Sequence, residues 1–218
     1  MGAFIKRNIQ YQLHLLLKAV VITVAVFILL VLYWNMLTGG APNQPFFIVM
    51  AVLIPFTLCY QNTSVYLNIT LGTCNTRRSA FAAAQIVKLL TAVIFAILGV
   101  GADMLSSLLT TGEASFDLLQ CALTILLVVF AMSAGEVLGH FTHRFGKIGA
   151  ILFGIFCGLA GGVIGFIFSM ASSTEEMLVF TSSTLTMLPA WLYLLFFLLA
   201  VGFTILTYTC FLRRYGVK

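Results

Sequence analysis

The sequence predicts an all-α polytopic membrane protein with six transmembrane helices and both termini on the cytoplasmic side. Three observations carry that expectation. The 218 residues are 61 % hydrophobic and 8 % charged, with a mean hydropathy of +1.12, whereas a soluble domain carries about a quarter charged residues. The apolar residues gather into six runs, each near the roughly 20 residues that cross a hydrocarbon core of about 30 Å. The eleven Lys and Arg residues all fall on one side of that reading. Lys6, Arg7 and Lys18 precede the first run, and Arg77, Arg78 and Lys88 are assigned between the second and third. Arg144 and Lys147 separate the fourth from the fifth, and Arg213, Arg214 and Lys218 follow the sixth. The other loops are read as holding Asp103, Glu113, Asp117, Glu175 and Glu176 without a cation. Cytoplasmic loops are enriched in Lys and Arg, so the partition sets span number and orientation together.

Taken in order, the chain forms a single transmembrane domain over residues 1–218, with spans at about 19–37, 46–66, 81–105, 118–135, 148–171 and 188–212. Ahead of the first span, Phe4, Ile5, Ile9, Leu13 and Leu16 recur near helical spacing among Lys6, Arg7, Asn8, Gln10 and Gln12. That pattern predicts an N-terminal amphipathic helix lying in the inner interface, the alternative being a cytoplasmic extension of span one. His14 and Lys18 interrupt the segment, so it does not read as a cleavable signal. Pro42 and Pro45 precede span two and Pro189 opens span six, where a missing N–H costs nothing. Arg77 and Arg78 divide the second span from the third, because each would cost about 2.5–3.5 kcal/mol at a bilayer centre. In the fifth run Ala150, Gly154, Gly158 and Gly162 recur every four residues, and the fourth ends with Gly135 and Gly139. Small residues at that spacing predict close helix packing.

The charge balance of +5 does not predict nucleic-acid binding, since the cations sit in pairs at membrane edges. The five cysteines are scattered without a paired spacing, which predicts neither disulfide framework nor zinc site. His140 and His143 lack the further ligands a metal needs, so no metal site is expected. Glu175-Glu176 lacks the following Arg that an intramembrane protease motif places where Phe180 stands, and no nucleophile elbow occurs. No catalytic constellation is therefore expected in this chain.

Three polar groupings remain as candidates. The inner loop, residues 71–81, runs Gly72, Thr73, Cys74, Asn75, Thr76, Arg77, Arg78 and on to Phe81. Gly72 can end one helix and Asn75 or Thr76 can cap another. Arg77 and Arg78 would then stand at the membrane edge with Phe81 as an apolar knob. This suits either a docking element or a basic turn that only anchors topology. In span two, Gln61, Ser64 and Asn68 share a helical face, which must meet other helices or a wet cavity: an interhelical polar face or a translocation path. Glu136, His140 and Arg144 follow at four-residue steps, a ladder on one helix face with a structural or a relay role, placed near the inner headgroups.

Leu71-Gly72 with Thr76-Arg77-Arg78 and Phe81 resembles the inner-loop signature of small bacterial ABC-2-type permeases, and Leu138-Gly139 through Arg144, Lys147 and Gly149 is similar to their second inner loop. Asn75 lengthens the usual glycine-to-threonine spacing. In size and span number the chain is similar to family members that export amphipathic phenol-soluble-modulin-type peptides. The resemblance implies a short coupling helix between spans two and three, docking on a cytoplasmic ABC ATPase through Gly72, Thr73, Asn75, Thr76, Arg77, Arg78 and Phe81, with Arg144 and Lys147 as further contacts. It implies a bacterial cytoplasmic membrane, a second permease copy (identical or paralogous) and surrounding lipid as partners. The chain carries no phosphate-binding loop, so ATP and Mg are expected on the partner, with no cofactor and no enzyme activity here. The expected function is export of a hydrophobic or amphipathic cargo. An ion-gradient-driven carrier and a non-transporting scaffold or sensor subunit stand as alternatives.

Overall fold

The computed structural model describes residues 2–38, 45–64, 77–111, 118–151, 153–155, 158 and 190–214. Every one of them except Gly146 is helical. Five helices are complete enough to name: α1 (Gly2–Thr38), α2 (Pro45–Ser64), α3 (Arg77–Thr111), α4 (Leu118–Phe145) and α5 (Ala190–Arg214). Among the described residues, four segments are long and apolar enough to cross a membrane: Gln12–Leu30, Phe47–Ser64, Ala80–Leu105 and Leu118–Phe145, with Tyr193–Thr209 a shorter apolar helix. Residues 159–189, which hold most of the expected fifth span and the outer loop with Glu175 and Glu176, lie outside the described residues, as does 65–76.

α1 corrects one expectation. Residues 2–38 form one unbroken helix, so the N-terminal segment extends span one rather than lying separately in the interface. The reason is local: no Gly or Pro interrupts the sequence between Gly2 and Thr38, and a sharp change of direction needs such a break. At about 1.5 Å per residue this helix far outreaches a hydrocarbon core of about 30 Å.

Named contacts set the helix directions. Phe27 of α1 meets Phe47 at the start of α2 edge-on, ring centroids 5.3 Å apart. A Cβ on Gly99 of α3 would lie 2.6 Å from the Ala51 Cβ, so the start of α2 also meets the later part of α3. α2 and α4 run alongside each other: a Cβ on Gly135 would sit 2.5 Å from the Phe56 carbonyl oxygen, and one on Gly139 would sit 2.7 Å from the Thr63 Cβ and 2.9 Å from the Tyr60 carbonyl oxygen. Only glycine admits backbones this close, so Gly135 and Gly139 pack as expected. Around Gly154 and Gly158, nothing among the described residues lies within 4 Å of a Cβ built on either. α4 and α5 both run opposite to α3, through Gln85–Glu136 and Gln120–Asp103 for α4 and Phe81–Tyr208 and Lys88–Thr204 for α5. They therefore share a direction, with Phe130 against both Phe196 and Phe203.

α4 runs to Phe145, well beyond the expected limit at residue 135, and closes on Gly146 at φ 58°. The Gly146 N–H donates to the Thr142 carbonyl oxygen at 2.8 Å, the bond that ends a helix with a left-handed glycine. The chain then turns back, and the Ala150 N–H donates to the Gly146 carbonyl oxygen at 3.1 Å. Phe153 stacks on Tyr60 at 3.6 Å and on Phe56 at 5.8 Å, so the returning segment lies against α2. With α3 antiparallel to α4 through Gln85–Glu136 and Gln120–Asp103, the exposed Arg78, Arg144 and Lys147 come to one end of the bundle.

Candidate functional site

The apolar interior holds two charges the sequence reading assigned to membrane edges. Lys88 lies in α3, eleven residues past its start, and Glu136 lies in α4, nine residues before its end. Their side chains are 3 % and 7 % exposed, and Lys88 Nζ donates to Glu136 Oε2 at 2.9 Å. Lys88 is thus no loop cation but a residue of α3, and Glu136 is buried within α4. Both stand inside helical stretches apolar enough to span, Ala80–Leu105 and Leu118–Phe145.

The surroundings satisfy the pair. An ammonium has three donors and no acceptor, and Lys88 Nζ lies within hydrogen-bond distance of three oxygens: Glu136 Oε2, Ser133 Oγ at 3.2 Å and Thr204 Oγ1 at 3.4 Å. The Ser133 hydroxyl donates to the Val129 carbonyl oxygen and the Thr204 hydroxyl to the Ala200 carbonyl oxygen, each at 2.8 Å. Each hydroxyl proton is therefore committed within its own helix, which leaves the oxygen to accept from Lys88. Glu136 Oε1 accepts from Gln85 Nε2 at 3.4 Å. Five side chains from α3, α4 and α5 thus close one polar knot in an apolar setting. A charged side chain at a helix centre costs about 2.5–3.5 kcal/mol on the insertion scale, and this set of partners offsets that cost for both members at once.

Glu136 directs its carboxylate across to α3, and Arg144 lies exposed with its guanidinium 5.2 Å from the Phe145 ring centre. The ladder Glu136–His140–Arg144 therefore gives way to a cross-helix pair, because a buried acid gains more from a buried ammonium than from a solvated guanidinium two turns away. His140 is buried. Of the polar face in α2, Gln61 is exposed, Ser64 is half-buried and Asn68 lies outside the described residues. Toward α4, Thr63 packs its Cβ against Gly139 while its hydroxyl donates to the Cys59 carbonyl oxygen of its own helix at 2.9 Å, and the Tyr60 hydroxyl donates to Thr142 Oγ1 at 3.2 Å. In the inner loop, Gly72, Thr73, Asn75 and Thr76 lie outside the described residues, while Arg77, Arg78 and Phe81 open the 35-residue α3. Arg78 is exposed, but Phe81 is not a free knob: its ring packs on Tyr208 of α5 at 5.1 Å. Asp103, expected in an outer loop, is buried in α3 and accepts from Gln120 Nε2 of α4 at 3.3 Å.

Sequence reasoning missed the Lys88–Glu136 pair, yet a signal was present. Gln85, Lys88 and Thr91 stand three apart in α3, and Ser133, Glu136 and His140 recur at the same face spacing in α4. Two polar stripes in neighbouring apolar helices call for each other. Among the described residues, no group of three or more His, Cys, Asp or Glu is placed to hold a metal ion.

The fold and site define an all-helical protein with membrane-spanning character and a buried interhelical ion pair. Comparison with protein families, with curated proteins and with solved structures finds no match to this chain.

Proposed function

We propose that this chain is the membrane-spanning subunit of an ATP-driven exporter whose ATPase is a separate polypeptide, and that it moves a hydrophobic or amphipathic cargo. The observation that carries the reading is the basic end of the bundle. The helix that begins with Arg77 and the exposed Arg78 is the same helix that carries Lys88 into the polar knot. A push on that end from a cytoplasmic motor reaches α4 and α5 through a rigid element. The absence of a phosphate loop from the sequence fits a division of labour with a partner holding ATP and Mg. In this reading the basic end is cytoplasmic and the chain crosses the bilayer six times. The parallel course of α4 and α5, both antiparallel to α3, supports a fifth span at 148–171 between them, and a second permease copy completes the pathway.

The test is purification of the tagged chain from its native membranes, with ATP hydrolysis assayed in the eluate. Arg77→Glu with Arg78→Glu should lose the associated ATPase while the permease itself still elutes as a folded species. Full retention of the ATPase and of its stimulation by cargo would remove the docking role from this end.

One observation favours a second reading, an ion-gradient-driven carrier: Glu136 and Lys88 lie within the spanning segments, where such carriers keep ionisable groups. In reconstituted vesicles, cargo uptake that follows an imposed proton gradient without ATP would favour it over the exporter.

A further inference from the structure

The corner between α4 and the returning segment combines features that the polar knot and the docking end do not use. Phe141 and Phe145 stack at 5.7 Å with an interplanar angle of 19°, and both are exposed, at 44 % and 46 %. The Arg144 guanidinium lies over the Phe145 ring. Immediately past the turn come exposed Lys147 and then Ile148, Ile151 and Ile155, three large aliphatic side chains that are more than half exposed. At residue spacings of three and four they form a row along one side of the returning helical turns.

The corner is also rigid. Gly146 holds the left-handed conformation that closes α4, and a Cβ on Gly149 would collide with the Thr142 Cα and N and the Phe141 carbonyl oxygen. Its two cations are consequently held on either side of a fixed turn, Arg144 before it and Lys147 after it. The one acid of α4, Glu136, is buried and bound to Lys88, so it does not neutralise them.

We propose that this corner is a seat for an anionic phospholipid, with the headgroup phosphate between Arg144 and Lys147 and the acyl chains along Ile148, Ile151 and Ile155. Charge complementarity selects the occupant. Two cations border an uncharged apolar strip at the end of a spanning helix, the order of polarity that a lipid presents from headgroup to tail. Arg144, its guanidinium over the Phe145 ring, suits the same depth, an apolar stem with a charged head. A soluble protein partner would leave the isoleucine row bare, and an uncharged lipid would leave the two cations without a counter-charge. On this assignment Arg144 and Lys147 bind lipid, and docking of a motor falls to the start of α3.

The experiment uses the full chain reconstituted in phosphatidylcholine vesicles containing a minority of phosphatidylglycerol, with a spin-labelled phosphatidylglycerol reporting the protein-bound fraction. Each cation near the surface contributes roughly a fivefold preference for anionic lipid. Arg144→Gln with Lys147→Gln should therefore lower the selectivity over phosphatidylcholine by about tenfold or more. The charge-matched control, Lys6→Gln with Lys18→Gln, should leave most of it. Both variants alter exposed side chains, and unchanged elution from size-exclusion chromatography verifies that they fold. Equal loss in the control would mean that net charge alone attracts the lipid, and overturns the seat. So would unaltered selectivity in the Arg144 and Lys147 variant, with or without loss of a co-purifying ATPase. Neither result bears on the docking of Arg77 and Arg78.

Discussion

Lys88 and Glu136, forty-eight positions apart in the chain, meet at 2.9 Å inside the helix bundle. The pair links α3 to α4 directly, and Thr204 adds α5 through the third oxygen within reach of the ammonium. A buried pair of this kind contributes little net stability against a well-packed apolar replacement, but removing one partner strands the other.

Single and double substitutions should separate those two effects. Lys88→Met or Glu136→Leu alone should destabilise the protein by about 3–5 kcal/mol. Together they should recover most of the loss, since neither charge is then left unpaired. Reversible unfolding in mixed micelles measures all four corners of the cycle. Singles and double that destabilise additively would show that the pair is not coupled.

The glycine contacts predict opposite outcomes in two helices. Gly139→Ala places a Cβ against Thr63 and the Tyr60 carbonyl and should cost about 1–3 kcal/mol through overpacking. Gly101→Ala faces open space in α3 and should stabilise by up to about 1 kcal/mol through helix propensity. The same unfolding measurement reads both, and equal effects would contradict the packing.

The helical framework was legible because hydropathy depends only on local composition, and the four spanning segments, like α5, fall inside the expected runs or overlap them. Gly135 and Gly139 were legible because small residues four apart suit close helix packing, but the same spacing at Gly154 and Gly158 brings no neighbour among the described residues within 4 Å. The polar knot was not. Lys88 and Glu136 each looked like the edge of an apolar run, and nothing local distinguishes an edge charge from a buried one whose partner lies on another helix. Asp103 was misplaced the same way, its partner Gln120 lying beyond the next connection. The ladder from Glu136 to Arg144 failed because neighbours along one helix compete with neighbours across the bundle, and the sequence displays only the first.

Asp103 and Gln120 offer a milder version of the same chemistry. Asp103→Asn preserves an acceptor for the Gln120 amide and should change stability by less than about 1 kcal/mol. Asp103→Leu leaves that amide unsatisfied in a buried site and should cost about 1–3 kcal/mol. Thermal unfolding in detergent distinguishes the two, and an equally harmful Asn would point to a need for the charge itself.

Cysteine labelling should report the common end of the bundle. With the five native cysteines replaced by alanine, Arg78→Cys and Lys147→Cys should both react with a membrane-impermeant maleimide from the same side of sealed vesicles. Leu118→Cys, at the start of α4, should react only from the other. Labelling of Arg78→Cys and Lys147→Cys from opposite sides would break the antiparallel packing of α3 and α4 that the Gln85–Glu136 and Gln120–Asp103 contacts set.

The unbroken course of α3 has a mechanical consequence. Arg78 and Lys88 are ten residues apart on one helix, about 15 Å along its axis at 1.5 Å per residue, with no Gly or Pro between them to absorb torque. Successive residues turn by about 100°, so rotating α3 by even one residue's angle would carry the Lys88 ammonium away from all three of its oxygens. The knot works as a keyed shaft: it tolerates α3 tilting as a unit with α4 and α5 and resists its spinning. Inserting one alanine between Arg78 and Lys88 would keep every side chain yet put the two ends of the shaft out of phase.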